Sequence, residues 1–213
     1  MQKKYKNLII VIPSYNEIKT LKKLLLKLKR YNLIIIDDYS IDGTKEFLEN
    51  NKFFFIRNKK NIGYQLSLYK GFKYAIKKKY KYILTCDADG EHQFEDINNI
   101  IKEIKFNYDF IVGNRNFKPI LEKLICKLYF SLKGIEDPLC GLKIYKIATF
   151  KKIITKSNFD NYLINLINKI LNKKIKYINF NIKIKKRIFG KSKVKYTFDY
   201  YKKIFKIFLL SFR

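Results

Sequence analysis

The chain has 213 residues, and its 47% hydrophobic content is enough for a substantial core, which argues against wholesale disorder. Its net charge is +29, from 47 basic and 18 acidic residues, and no apolar run approaches the ~20 residues that span a bilayer. Cys86, Cys126 and Cys140 are odd in number and widely spaced, which fits a reducing compartment and gives no metal-ligand pattern.

In chain order, "LIIVI" (8–12) is a short continuous apolar run, as expected for a strand buried on both faces. The run ends at Pro13, too short for the ~7–15 residues of a signal-peptide core, so the chain is expected to stay in the cytoplasm. Leu21, Leu24, Leu25 and Leu28 follow at helical spacing. "LIIID" (33–37) reads as a second strand, and a helix begins behind Asp42 and Gly43. "FFFI" (53–56) is a third strand, followed by a helix over 63–79. "KYILTC" (81–86) is a fourth strand, a helix starts near Glu95, and "DFIVG" (109–113) is a fifth strand. Strands alternating with helices imply a mostly parallel sheet covered on both faces, with ligands at the carboxyl ends of the strands.

Beyond residue 114, Leu121, Leu124, Ile125, Leu128 and Leu132 predict an amphipathic helix, and 137–146 reads as a turn into a strand. Residues 159–171 look helical and 175–184 alternate like a strand. The organisation expected is one domain over 1–194, followed by a C-terminal amphipathic helix over 195–213. Its apolar face carries Phe198, Tyr201, Ile204, Phe205, Phe208 and Phe212.

The charge first suggests nucleic acid. Lys, Ile, Asn, Tyr and Phe are all abundant, however, as an AT-rich coding sequence would give, and mutational bias is the simpler source; no nucleic acid is expected. The charge is uneven: residues 151–213 hold 18 basic and 2 acidic residues, which fits an anionic membrane surface. Residues that the bias disfavours become informative. Pro13, Gly43, Gly63, Gly90, Gly113, Arg115, Pro138, Gly141, Arg187 and Gly190 all fall at expected element ends, marking working loops.

The scarce acids are also placed unevenly. In "YILTCDADGEHQ" (82–93), Asp87, Asp89 and Glu91 alternate. In an extended segment, alternate residues point the same way about 7 Å apart, so the three could address one site. Hard oxygen ligands suit Mg²⁺ or Mn²⁺, which takes one or two carboxylates and completes its shell with substrate phosphates. An EF-hand is excluded, because His92 stands at its invariant glycine and Asn98 at its closing glutamate. GxGxxG and GxxxxGK[ST] are both absent, which removes the dinucleotide fingerprint and the P-loop. His92 is the sole histidine, which rules out multi-histidine zinc sites, and it reads as a surface or loop residue; Cys86 and Cys126 read as packing residues.

"VIPSYNE", "IIDDYSIDGT", "NKKNIGYQLSLYKGF", "DADGEHQ", "VGNRNF", "DPLCGLKIY" and "RIFGKSK" run in order along almost the whole chain. In them the chain resembles the family 2 glycosyltransferases of the α/β GT-A fold, whose mostly parallel nucleotide-diphospho-sugar transferase sheet is flanked by helices. It is most similar to the dolichyl-phosphate mannosyltransferase and polyprenyl-phosphate glycosyltransferase branch. The resemblance implies that Pro13, Tyr15 and Glu17 shape the nucleotide pocket and that Ile36 and Asp38 hold base and ribose. Asp87 and Ala88 would continue that pocket, while Asp89 binds the metal, with Glu91 as second ligand where relatives usually carry glutamine. Arg115, Arg187 and Lys193 match cationic positions that contact donor or acceptor phosphate. Relatives often read D-P-x-S-G-F-R where this chain has Asp137-Pro138-Leu139-Cys140-Gly141-Leu142-Lys143. Cys140 thus replaces a serine that can hydrogen-bond the acceptor phosphate, and Lys143 an arginine.

The expected activity is inverting, metal-dependent transfer of a sugar from a nucleotide-diphosphate sugar (GDP-mannose or UDP-glucose type) to a lipid-linked phosphate. It would take place peripherally at the cytoplasmic face of a membrane, and a membrane-protein partner remains open. Arg187 and the metal would stabilise the leaving diphosphate. A phosphate acceptor needs positioning; a hydroxyl acceptor needs a general base, for which Asp137 is the candidate. A glycosyltransferase acting on a glycan or protein hydroxyl, a basic nucleic-acid-binding module and a non-catalytic partner subunit remain as alternatives.

Overall fold

Strand β1 (Leu8–Ser14) is buried at every position. Ile9 and Val11 face one helix layer, and Leu8, Ile10 and Ile12 the other, which is the period-two alternation of a strand covered on both sides. The computed structural model describes residues 5–154 and 175–185, together with Thr197 and Lys202. Among these, β1, β2 (Asn32–Asp37), β3 (Phe55–Arg57), β4 (Tyr82–Thr85), β5 (Phe110–Arg115), β6 (Lys143–Lys146) and β7 (Tyr177–Ile182) make one seven-stranded sheet. Its order is β3-β2-β1-β4-β6-β5-β7. All pairings are parallel except those of β6, which runs against both β4 and β5.

Register decides where the strand ends fall. β1 and β2 pair from Ile9↔Asn32 to Ser14↔Asp37, so they finish level. β4 pairs only as far as Val11↔Thr85 and stops short of them. The chain after Thr85 therefore turns in the step beside the end of β1.

On one face, α1 (Ile18–Leu28) buries Leu21, Leu24, Leu25 and Leu28, while α4 (Phe94–Lys102) buries Ile97, Ile100 and Ile101. The short α2 (Thr44–Asn50) adds Leu48 to the same layer. Each such side chain taken fully out of water stabilises by ~1.5–3 kcal/mol. On the other face, α3 (Tyr64–Lys77) buries Leu68, Phe72 and Ala75 against β1. A Cβ at Gly71 would lie 2.2 Å from Val11 Cγ1, so helix and strand approach this closely only because residue 71 has no side chain. α5 (Ile120–Lys133) and α6 (Ile147–Phe150) follow β5 and β6.

The expected elements are present within the described residues, with two differences. β3 is Phe55–Arg57 instead of 53–56, because its pairing with β2 runs from Ile35↔Phe55 to Asp37↔Arg57. α5 lies where the leucine spacing predicts it but is turned about its axis: it buries Glu122, Ile125, Cys126 and Tyr129, and exposes Leu121, Leu124, Leu128 and Leu132. The expected helix over 159–171 and the C-terminal amphipathic helix over 195–213 lie outside the described residues.

Candidate functional site

The loop after β2 uses its acids to build itself. Asp37 is fully buried; it accepts Arg57 Nη1 at 2.5 Å and the Ser40 amide at 3.0 Å. Asp38, 3% exposed, accepts Asn58 Nδ2 at 2.7 Å and the Ile62 and Gly63 amides, each at 2.8 Å. Asp42 accepts the Ile18 amide at 2.9 Å and Thr44 Oγ1 at 2.6 Å, tying the first turns of α1 and α2 together. Asn16 and the 40–41 segment exchange bonds: the Asn16 amide donates to Ser40 Oγ at 2.9 Å, and the Ile41 amide to Asn16 Oδ1 at 2.8 Å. The two loops at the carboxyl ends of β1 and β2 thereby become one unit.

That wall contains several of the residues expected at the nucleotide. Pro13 and Glu17 are buried and Tyr15 half-buried. Ile36 is fully buried in the core on the α3 side, so its side chain does not reach the surface. Asp38 shapes the loop before α3 with its carboxylate, which accepts from the protein's own donors.

The other acidic loop is differently made. β4 ends at Thr85, and Ala88–Asp89 form a turn completed by Gly90 at φ +81°. The expected extended array of Asp87, Asp89 and Glu91 is thus replaced by a turn, in which the Glu91 amide donates to Asp89 Oδ1 at 3.0 Å. Asp87 is held from three sides. Tyr64 Oη donates to its Oδ1 at 2.7 Å. Its amide donates to His92 Nδ1 at 3.4 Å, and His92 Nε2 lies 3.9 Å from Asp87 Oδ2. Gly141 backs onto its carboxylate: a Cβ there would sit 2.0 Å from Oδ2. Thr85 Oγ1 fixes that approach by donating to Gly141 O at 2.6 Å.

Burial, followed by the Asp87 charge and hydrogen bond, raises the Tyr64 hydroxyl well above its ordinary pKa, so it remains a donor. His92, expected at the surface or in a loop, lies in the loop between β4 and α4 but is buried there. Tyr64 lies within "NKKNIGYQLSLYKGF", a motif whose sequence does not by itself mark it as a site residue. Ala88 packs in the α1-side core, while Asp89 and Glu91 are half-buried. Among the described residues no three His, Cys, Asp or Glu side chains form a metal-holding group. A divalent ion bound through one or two carboxylates and substrate phosphates needs no such group, and Asp89 and Glu91 on one turn fit it.

Arg115 and Asp137 meet each other. Arg115 Nε donates to Asp137 Oδ2 at 2.7 Å and Nη2 to Oδ1 at 3.0 Å, with Glu122 Oε2 taking a further bond at 2.9 Å. Asp137 is fully buried. Burial alone would raise its carboxyl, but the Arg115 bonds and charge, helped by Lys118, outweigh this and hold it below the usual carboxylate range. A buried carboxylate clamped on both oxygens is a poor proton acceptor, which argues against a role for Asp137 as general base. Arg115 is likewise committed to Asp137 and Glu122. Cys140 is fully buried with its thiol against Gly113, where a Cβ would lie 2.8 Å from Sγ. Lys143, 3% exposed, donates to Cys140 O. Both side chains at these two departures from the family pattern are turned into the protein, Cys140 Sγ lying 3.8 Å from Leu142 O.

Residues 183–185 cross the acidic turn. Lys185 N donates to Glu91 O at 2.9 Å, Gln93 Nε2 to Lys183 O at 2.7 Å, and Lys183 N to Asp96 Oδ2 at 2.9 Å. A groove beside this crossing is lined by Thr20, Lys23, Lys27, Asp89, Gln93 and Lys185, among others. Arg187 follows two positions later in the chain; Arg187 and Lys193 lie outside the described residues.

A mostly parallel sheet with one reversed strand, an acidic turn at the end of β4 and a self-built loop at the end of β2 define the GT-A architecture. The chain belongs to glycosyl transferase family 2, whose pattern it matches over residues 9–158. It is 26% identical to the dolichol-phosphate mannosyltransferase of Pyrococcus furiosus, over 93% of this chain and 62% of that protein. It is 30% identical to the UDP-N-acetylglucosamine--dolichyl-phosphate N-acetylglucosaminyltransferase of Methanococcus voltae, over 74% of this chain and 76% of that one. Glucosyl-3-phosphoglycerate synthase from Mycobacterium tuberculosis, solved with Mn²⁺, UDP-glucose and glycerol 3-phosphate, has the same fold: TM-score 0.68 at 12% identity, covering 96% of this chain and 79% of that one.

Proposed function

We propose that this glycosyltransferase moves a sugar, with inversion, from a nucleoside-diphosphate sugar of the GDP-mannose or UDP-glucose type to a polyprenyl or dolichyl phosphate. The observation that carries the reading is the acidic turn: Asp87 is oriented by Tyr64, His92 and Gly141, and Asp89 stands beside it at the carboxyl end of β4. Asp87 fits the nucleotide side of the donor, and Asp89, with Glu91, would hold Mg²⁺ or Mn²⁺. The ion, when bound, supplies positive charge to the leaving diphosphate. Arg187 and Lys193, carried over from the resemblance, would add charge-assisted contacts to donor or acceptor phosphate.

The Pyrococcus and Methanococcus relatives, whose names specify dolichyl phosphate, support a lipid-phosphate acceptor. The state of Asp137 favours it too. A hydroxyl acceptor needs a base, and Asp137 is paired and buried; an anionic phosphate needs only to be positioned. Such an acceptor would bring the enzyme to a membrane surface as a peripheral protein, and no helix among the described residues is long and apolar enough to cross one.

The test is nucleoside-diphosphate release from a panel of donors with polyprenyl phosphate, a glycan or no acceptor. Release stimulated by the lipid phosphate supports the reading. Stimulation by the glycan alone would overturn it.

A further inference from the structure

The loop after β2 holds an aromatic side chain that the packing of the fold does not account for. Tyr39 belongs to neither core cluster and is 45% exposed. Its backbone is left-handed, at φ +68°, a conformation that glycine or asparagine adopts cheaply and a bulky residue does not. Asn16, left-handed at φ +53° on the neighbouring loop, is such a tolerant residue; Tyr39 is not. Backbone strain of this kind collects at ligand sites. The ring is also supported from one side. The Arg57 guanidinium lies 5.1 Å from its centre and is itself pinned, by Asp37 Oδ2 at 2.5 Å and by Ser40 O at 2.9 Å. Tyr39 therefore rests on a fixed planar cation, a cation–π arrangement, while staying open to solvent.

We propose that Tyr39, backed by Arg57, is the stacking platform for the nucleobase of the sugar donor. The sheet order places β2 two strand spacings from β4, about 10 Å. A nucleoside diphosphate with its phosphates at Asp89, beyond the end of β4, reaches with its base toward the end of β2, and Tyr39 lies two residues past that end. The polar groups there are turned to one another. Asp37 accepts from Arg57 and Ser40, Asp38 from Asn58, Ile62 and Gly63, and Asn16 Oδ1 from Ile41. Reading a base by its edge needs such groups, whereas stacking uses the π-face that every base has. The platform thus takes guanine and uracil donors alike, differing only as stacking strength differs. The inference rests on the donor half of the proposed function and is independent of the acceptor, so a failed lipid-phosphate assay leaves it standing.

The test measures the affinities of the full chain for GDP, UDP and inorganic pyrophosphate by calorimetry in the presence of Mn²⁺. Wild type is expected to bind the two nucleotides within about tenfold of each other. Tyr39→Gly, which relieves the left-handed strain, is expected to keep the urea midpoint. It should bind both nucleotides on the order of tenfold more weakly and pyrophosphate unchanged. Tyr39→Phe keeps the ring and is expected to restore nucleotide affinity. Undiminished nucleotide binding by Tyr39→Gly would overturn the proposal. An equal loss for pyrophosphate would overturn it too, because it marks a structural role for the loop. A wild-type preference for one nucleotide above about a hundredfold would show edge recognition and likewise refute stacking. Wild type that binds pyrophosphate but neither nucleotide removes the base platform alone, whereas binding of none of the three refutes the donor reading and the platform with it.

Discussion

Replacing Arg115 by Met tests whether this arginine holds the fold rather than a phosphate. The substitution keeps a linear side chain but removes two guanidinium bonds to Asp137 and one to Glu122, which are 0% and 2% exposed. Breaking a buried ion pair by deleting one partner costs ~3–5 kcal/mol. Lys118, with Nζ 3.7 Å from Asp137 Oδ2, softens the loss, so the lower end, about 3 kcal/mol, is expected. With a urea slope near ~3 kcal/mol/M for a chain of this size, the unfolding midpoint should fall by about 1 M. Arg115→Met/Asp137→Asn should recover part of this, because one buried charge is no longer left behind.

The pH dependence carries a sign. The Asp137 carboxyl is held below its usual range in the fold, so its contribution is complete above its unfolded value of ~3.9 and is lost as pH falls through the lower folded value. Without Arg115, burial dominates and raises that carboxyl, so acidification relieves the variant while it harms wild type. The gap between the two proteins should therefore narrow from pH 7 to pH 4. A midpoint within 0.2 M of wild type at pH 7, or a gap that widens on acidification, would refute the reasoning; 0.2 M is about 0.6 kcal/mol on the same slope.

Gly141→Ala places a methyl 2.0 Å from Asp87 Oδ2. The carboxylate must move, and kcat/KM should fall by ~10²-fold, the effect of a misplacement near 1 Å; wild-type kcat/KM would contradict the placement of Asp87. Tyr64→Phe removes a hydrogen bond to a partly exposed carboxylate, so donor affinity measured by calorimetry should drop by about 1.5 kcal/mol, with the circular dichroism spectrum retained. Arg187→Ala should weaken nucleotide-sugar binding by ~1.5–3 kcal/mol, and unchanged calorimetric affinity would remove Arg187 from the diphosphate.

The layered sheet was legible because strands buried on both faces are written as continuous apolar runs, as in Leu8–Ile12, and their helices as leucines at helical spacing. The reversed strand β6 was not, since "KIYK" carries no mark of direction; its pairing with β4 and β5 arises from the tertiary path. The turn of α5 about its axis also escaped. Its four leucines give the helical spacing, whereas the core contacts of Ile125 and Tyr129 and the long-range bond from Arg115 to Glu122 hold the opposite face inward. At the site, aspartate clustering marks both strand-end loops. Sequence does not separate an aspartate that binds a ligand from one that binds its own backbone, and Asp38 accepts amides from residues more than twenty positions away. Tyr64 stayed hidden for the same reason, being brought to Asp87 by the packing of α3.

The most direct test of the central claim compares wild type with Asp89→Asn in transfer of labelled sugar from a nucleoside-diphosphate donor to polyprenyl phosphate, with Mn²⁺ or with chelator. The account predicts transfer by wild type with metal, loss in chelator, and loss in Asp89→Asn while its urea midpoint is kept, because the half-buried turn loses only a ligand. Full transfer by Asp89→Asn, or undiminished wild-type turnover in chelator, would contradict it.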